Sequence, residues 1–295
     1  RKNSCDMEES AWLFCGENTG DYSKPLCNYL YGRGYDVWLE NAKCIKDASG
    51  LRRLKSDKAD SAMIAEYAMR NYDRAELYIP LNESLSQLRE LFLFRQMLVR
   101  QKHGFQVRRG EKNRAMEKSS VKTAISQIGR HMVNECNKQI EKVERRIKDI
   151  IDGDEELKRT YELITTIPGI GTQNAVCLLT FTNNFTRFGY NARKIACYYG
   201  IAPFGRDSGT SVHSDPHVHY MANRMLKSML TQAALASIRC CAPIAHYYHR
   251  LIALGKKKQV ALNNVKNKLI HIITAMVKNN LSFNPGYTNI NKFIA

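Results

Sequence analysis

The spacing of apolar and polar positions changes character along this chain. Ala11-Trp12-Leu13-Phe14-Cys15 is a short unbroken apolar run ending at Gly16, the pattern of a buried strand. Pro25 to Leu30 takes helical spacing and is stopped by Gly32 and Gly34. Tyr35-Asp36-Val37-Trp38-Leu39 predicts a second strand, and the Ala-, Met- and Ile-rich stretch from Asp60 to Arg70 predicts a helix. Strands alternating with helices over 11–80 predict an α/β unit with a parallel or mixed sheet. Two strands make a poor sheet. That shortage, with Arg1 in place of an initiator Met, predicts an N-terminally truncated piece whose first strands are missing.

Residues 83–152 contain no proline. Val121, Ile125, Ile128, Met132, Cys136, Ile140, Val143, Ile147 and Ile150 recur by threes and fours, a heptad-like seam with one stutter. Leu85, Leu88, Phe92 and Val99 begin a similar seam upstream. The pattern predicts two long helices, as an antiparallel hairpin or an intermolecular coiled coil. Their break is expected near Gly104 to Gly110, where Arg108, Arg109, Lys112 and Arg114 cluster. That tip is either a solvated charged end or a contact for a nucleic-acid backbone. From Asp154 onward the pattern is mostly helical with short loops, Leu226 to Arg239 and Asn263 to Lys278 being the clearest helices. Residues 279–289, rich in Asn, Gly and Pro, read as a frayed tail. The predicted domains are 1–82, 83–153 and 154–295.

Composition narrows the class. At roughly 100–200 residues per domain, 295 residues make about two domains. With 44% hydrophobic and 25% charged residues, global disorder is excluded. No stretch of about 18 apolar residues occurs, so no membrane span and no membrane partner are expected. Nine cysteines without a CxxC pair fit reduced thiols better than a disulfide framework or zinc ribbon.

Charge says more. The net charge is +17, unevenly spread. Residues 1–85 carry 12 basic and 14 acidic side chains, 86–160 carry 18 and 11, and 161–295 carry 15 and 3. The only carboxylates in the last 135 residues are Glu162, Asp207 and Asp215. Such a surface attracts polyanions, and nucleic acid is the leading partner. An anionic membrane is the weaker reading, because no basic amphipathic anchor stands out.

Several groups could carry chemistry. Glu17-Asn18-Thr19-Gly20 follows a strand, and Asp57-Lys58-Ala59-Asp60 opens a helix with both Asp on one face. Carboxylates so gathered can hold hard divalent ions for phosphoryl transfer. Alternatively, Asp57 caps the helix and Asp60 complements its dipole. Leu163 to Ala175, with Ile167-Pro168-Gly169-Ile170-Gly171-Thr172, has a helix-hairpin-helix pattern. There glycines allow close backbone approach and the second helix points amides at a phosphate; a plain turn between packed helices is the other reading. Gly200 to Ser211 reads as a polar loop, with Arg206 and Ser208. Its hydroxyls either bind phosphate or backbone, or supply a nucleophile that needs activation. His213, His217 and His219 lack a cysteine at zinc-finger spacing and are read as loop or DNA-facing residues. Cys240-Cys241 reads as core, and Gly255-Lys256-Lys257-Lys258 as a solvated turn or, in this basic background, a phosphate contact.

The order of these blocks resembles the IS110 family of insertion-sequence transposases, which includes the Piv-type DNA invertases. The blocks are ENTG with Tyr22, LRRLKSDKADSAMIAEY, a long helical insert, IPGIG, RFGYNARKIACYYGIAPFGRDSGTS and GKKKQVALNNVKNKLI. The resemblance runs from about residue 10 to about 280. It implies a RuvC-like (RNase H-like) N-terminal domain with a DEDD carboxylate set, a coiled-coil insert, and a mainly helical C-terminal transposase domain with a nucleophilic serine. Glu17 matches the family's Glu, Asp57 and Asp60 its two helix Asp, and Ser208 its catalytic Ser. Gly169, Gly171, Thr172, Arg206, Arg108, Arg109, Lys256 and Lys257 are the expected nucleic-acid contacts. The resemblance further implies Mg²⁺ at Glu17, Asp57 and Asp60, a Ser–DNA covalent intermediate, and a structured guide RNA. It also implies a dimer or tetramer, in the bacterial cytoplasm with the nucleoid.

Two departures stand out. The family's first Asp lies tens of residues before the Glu motif, whereas 16 residues precede Glu17 here and Asp6 is in the wrong context. The metal set is therefore expected to be incomplete. After Ser208 the family's basic segment is replaced by His213-Ser214-Asp215-Pro216-His217-Val218-His219-Tyr220-Met221-Ala222-Asn223. The alternatives are a junction-resolving nuclease that uses water instead of Ser208, and an inactive remnant that only binds nucleic acid.

Overall fold

The computed structural model describes residues 12–50, 56–114, 120–202, 204–208, 212–217 and 223–286, which divide between two compact units, Arg1–Asn82 and Glu83–Ala295. In the first unit β1 (Leu13–Glu17) and β2 (Asp36–Glu40) flank α1 (Lys24–Gly32), and α2 (Ala42–Ala48) and α3 (Asp57–Arg70) follow. The strands pair in parallel, Leu13 opposite Asp36 and Glu17 opposite Glu40, as a helical crossover requires. Val37 and Trp38 are buried with Cys27, Ile45 and Ala68. α3 packs on β1 and α2 packs on α3.

Local capping explains two differences from the sequence pattern. α3 starts at Asp57, three residues before the apolar period, because Ser56 Oγ accepts from Ala59 N at 3.2 Å. α2 escapes periodicity altogether: it has seven residues and one buried side chain, Ile45. Asn41 starts it by accepting from Lys43 N at 2.9 Å.

The second unit opens with α4 (Glu83–Arg114) and α5 (Ser120–Asp152), packed along each other. α4 continues through Gly104 and Gly110, so the expected break there is corrected; the connection falls in 115–119, outside the described residues. The buried stripe of α5 is Val133, Cys136, Ile140, Val143, Ile147 and Ile151. Met132 and Ile150 are each displaced from it by a neighbour. A straight helix drifts against a strict 3.5-residue repeat. On α4, Leu98 is buried in place of Val99. Val121 and Ile128 are exposed, which leaves the outer part of the seam half-covered.

α6 (Glu155–Thr165) and α7 (Thr172–Thr182) follow, then α8 (Ala192–Tyr198), α9 (Arg224–Cys240), α10 (Ala242–Ala253) and α11 (Lys258–Asn279). Between α8 and α9, β3 (Phe204–Ser208) pairs antiparallel with β4 (Val212–His217). The stretch read as a polar loop is thus partly a β-hairpin. α7 is buried from Ala175 to Thr182, and packs on α4, α6 and α9. α11 buries Ala261, Val265, Leu269, Ile270 and Ile273 among its neighbours α6, α8, α9 and α10. Cys241 is core as expected, but Cys240 is exposed, because the helix breaks there and Pro243 helps start α10. In the tail, Phe283 N donates to Thr166 Oγ1 at 3.1 Å.

Candidate active site

The acidic groups of the first unit sit where a parallel sheet ends. Glu17 closes β1 and lies directly beside Glu40, the last residue of β2. Glu40 Oε2 accepts from Tyr67 Oη on α3 at 3.2 Å, and its Oε1 accepts from Asn41 N at 2.6 Å. The Tyr67 ring lies 5.4 Å from that of Trp38. Burial and then the Glu40 charge push the Cys15 thiol up to about 11, and the Tyr67 phenol is raised by the same two causes. Asp57 and Asp60 occupy the first turn of α3, where they complement the helix dipole. Asp57 is not the cap, since Ser56 takes that position.

Carboxylate oxygens are the right donors for a hard divalent ion. However, no three His, Cys, Asp or Glu side chains among the described residues form a group able to hold one. Glu17, Asp57 and Asp60 are therefore not gathered into a metal site by themselves, and the three as placed do not fit the ion.

Ser208 is the last residue of β3, opposite Val212. The structure describes only the backbone of Arg206, Ser208, His213 and His217; the side chains of these residues, and His219 altogether, lie outside the described parts. The roots of this hairpin are well held. Asn263 Nδ2 on α11 donates to Ile201 O at 2.8 Å, just before β3. After β4, Asn223 caps α9, accepting from Met225 N and Leu226 N.

The α6–α7 connection gives the first of its glycines a packing role. Gly169 has φ +92°, and a Cβ there would collide with the backbone of Ser237 on α9. Its close approach is to a helix. Gly171 faces open space and precedes α7 without a side-chain cap. Thr172 is exposed, its Oγ1 2.8 Å from Tyr161 Oη. The next residue, Gln173, donates to Glu144 on α5 at 3.4 Å, and Glu144 pairs with Arg95 on α4 at 2.7 Å. This ties the connection to the long hairpin. Arg108 is exposed on α4; the Arg109 side chain lies outside the described parts. Lys256 and Lys257 are exposed just before α11, after Gly255 at φ +79°.

Three groups escape the sequence reading: Glu40, Tyr67 and Lys266. Glu40 ends the second strand, and only the parallel register shows that it lies beside Glu17. Tyr67 and Lys266 look like ordinary helix residues until the packing is known.

Residues 5–109 match a model of the DEDD transposase domain of IS110 elements, and residues 161–250 match the model described as transposase IS116/IS110/IS902 family. Together they cover about two thirds of the chain. The pilin gene-inverting proteins of Moraxella bovis and Moraxella lacunata are each 25% identical over 271 residues, 90% of this chain and 80% of theirs. An uncharacterized 43.6 kDa protein of insertion element IS110 from Streptomyces coelicolor is 33% identical over 116 residues, 39% of this chain and 28% of its own length. The chain belongs to the IS110 family of transposases. Its DEDD domain implies dependence on a divalent metal, and members of the family act on DNA.

Proposed function

We propose that this protein is a site-specific DNA recombinase that moves an insertion element through a covalent Ser208–DNA intermediate. The observation that carries the reading is the presence of both transposase domains in one chain; by the sequence resemblance, Glu17, Asp57, Asp60 and Ser208 take the motif positions. The first unit is read as RuvC-like, 83–153 as a coiled-coil insert and 154–295 as the transposase domain with its helix-hairpin-helix. The divalent ion is Mg²⁺ in this reading. Its site needs rearrangement of the three carboxylates or further donors, so no step is derived through it.

The atoms of the covalent step balance between the serine and the DNA, and a divalent ion, when bound, would polarise the phosphate. Ser208 Oγ gives up its proton and attacks a backbone phosphorus. The bond from that phosphorus to one sugar oxygen breaks, and the leaving oxygen takes a proton. The phosphodiester is kept as a serine ester, and a sugar hydroxyl of a second strand reverses the step. One bond is exchanged for another of similar energy, so no nucleotide hydrolysis is required. The hairpin suits this role, because Ser208 ends a strand while Asn263 of α11 and the Asn223 cap of α9 hold the chain on either side of it. The basic 83–295 unit supplies the nucleic-acid surface, with Gly171, Thr172, Arg206, Arg108, Arg109, Lys256 and Lys257 as contacts. A guide RNA and a homo-oligomer that completes the site between protomers belong to the same reading, as does a place with the bacterial nucleoid.

The test is capture of the adduct. The protein is incubated with its element-end DNA and Mg²⁺, denatured, and resolved by size. A Ser208→Ala protein is expected to bind DNA and form no adduct. An undiminished adduct in that variant overturns the assignment. Cleavage without any adduct in the wild type would point to water as the nucleophile, and cleavage retained in EDTA would remove the metal from the reading.

A further inference from the structure

Lys266 is an anomaly in the α9–α11 interface. It is 5% exposed, in a unit whose other deeply buried side chains are apolar, hydroxyl or amide groups. Its Nζ reaches one described partner, Thr231 Oγ1 on α9, at 3.4 Å. That hydroxyl donates in turn to Lys227 O at 2.7 Å, so Thr231 links the two lysine positions. The neighbouring charge is a second cation, the Lys227 ammonium, and no carboxylate reaches the pair among the described residues. Burial, and then Lys227, push Lys266 down to about 8.

Burying an ammonium beside a like charge costs folding free energy unless a counter-charge arrives. This part of the chain cannot supply one readily, having three carboxylates in its last 135 residues. An ammonium has three donors, and one weak bond leaves two for an oxyanion. The location suits such a ligand. Lys227 and Thr231 are part-exposed, so the pair lies at the rim of the interface. Lys266 is one helical turn beyond Asn263, which holds the chain just before β3. Lys227 sits in the first turns of α9, four residues beyond its cap Asn223. Each cation therefore lies about one turn along its helix from a residue, Asn263 or Asn223, that holds the chain beside the hairpin.

We propose that Lys227 and Lys266 together hold one backbone phosphate of bound nucleic acid at this rim. The inference rests on the nucleic-acid reading above and adds a contact that no motif indicates. The phosphodiester is common to DNA and RNA, so the test has two arms.

Affinity of the whole chain is measured by fluorescence anisotropy for a DNA duplex and for an RNA hairpin over a series of salt concentrations. Each lost phosphate contact lowers the slope of log K against log salt by about 0.9 on a duplex. Lys266→Met is expected to lose about one such contact while melting no lower than the wild type. Lys227→Met is expected to lose the same contact. The double variant is expected to lose no more than either single one, because they share a phosphate. Loss in the DNA arm alone assigns the phosphate to DNA, and loss in the RNA arm alone assigns it to RNA. Unchanged slopes in both arms, with the wild type binding normally, overturn this proposal and leave the nucleic-acid reading standing. No binding by the wild type in either arm overturns both. If Lys266→Met does not fold, Lys227→Met decides by the same slopes.

Discussion

At the scale of single residues, two glycines of one turn separate packing from exposure. Gly169 combines a left-handed φ with contact against the α9 backbone at Ser237. Gly169→Ala is expected to cost about 1–3 kcal/mol from overpacking, with left-handed strain added. Gly171 has ordinary φ and open space before it. Gly171→Ala removes only a fair cap residue, so its cost should stay under about 1 kcal/mol. Denaturant midpoints at constant m-value check both. If the two variants are equally stable, the turn does not pack as described.

Lys266 gives a residue-scale prediction in pH. Its native value, about 8, lies below the 10.5 of a free lysine. Below pH 8 both folded and unfolded chains are protonated there, and the penalty of the buried charge is fully present. Between about 8 and 10.5 the native state sheds the proton first, so the unfolded state binds more protons and stability rises with pH. In the protein free of nucleic acid, Lys266→Met should melt higher than the wild type near neutral pH. The difference should shrink as pH climbs through that window. A difference that stays constant from neutral pH to pH 10 would mean that Lys266 is not penalised.

At the scale of elements, α5 shows what spacing can and cannot carry. Ile147 is fully buried and Ile128 is 62% exposed, although both belong to one apolar series in the sequence. Ile147→Ala should cost about 2–5 kcal/mol, whereas Ile128→Ala should fall within about 0.5 kcal/mol of the wild type. The contrast is read from thermal or denaturant unfolding. The long helices, both parallel strands and α3 were legible because their apolar periods are long or uninterrupted. The phase of the seam was not, since one neighbour in three or four suffices to displace Met132 or Ile150. The hairpin of Ser208 was hidden for another reason. Gly205, Arg206, Asp207, Ser208, Gly209 and Thr210 have turn chemistry, and their pairing with Val212 to His217 is a long-range choice of register. α2 and the break at Cys241 depend on capping and a single proline, which periodicity does not register. For the candidate site, Glu17, Asp57, Asp60 and Ser208 were found by motif order. Glu40 and Tyr67 required knowledge of which strand ends meet which helix.

At the scale of the whole molecule, charge divides along the same boundary as packing. Residues 1–85 carry slightly more acid than base, while 86–160 and 161–295 carry excesses of 7 and 12 positive charges. The basic unit also has its own core, including Leu88 and Phe92 of α4, Ile147 of α5, Leu179 of α7 and Leu269 of α11. The acidic unit holds the motif carboxylates, Glu17, Asp57 and Asp60, and the basic unit holds Ser208. In the proposed function, this division separates binding from metal-dependent chemistry. A polyanion held by the basic unit releases counterions in proportion to the phosphates neutralised. A protein comprising residues 83–295 should therefore fold cooperatively and retain nearly the whole salt slope of the intact chain on duplex DNA. A protein comprising residues 1–82 should bind DNA weakly and with little salt dependence. If removing 1–82 abolishes binding by a folded 83–295 protein, the duplex is held jointly by both units. Charge asymmetry would then have no part in assigning the DNA to one of them.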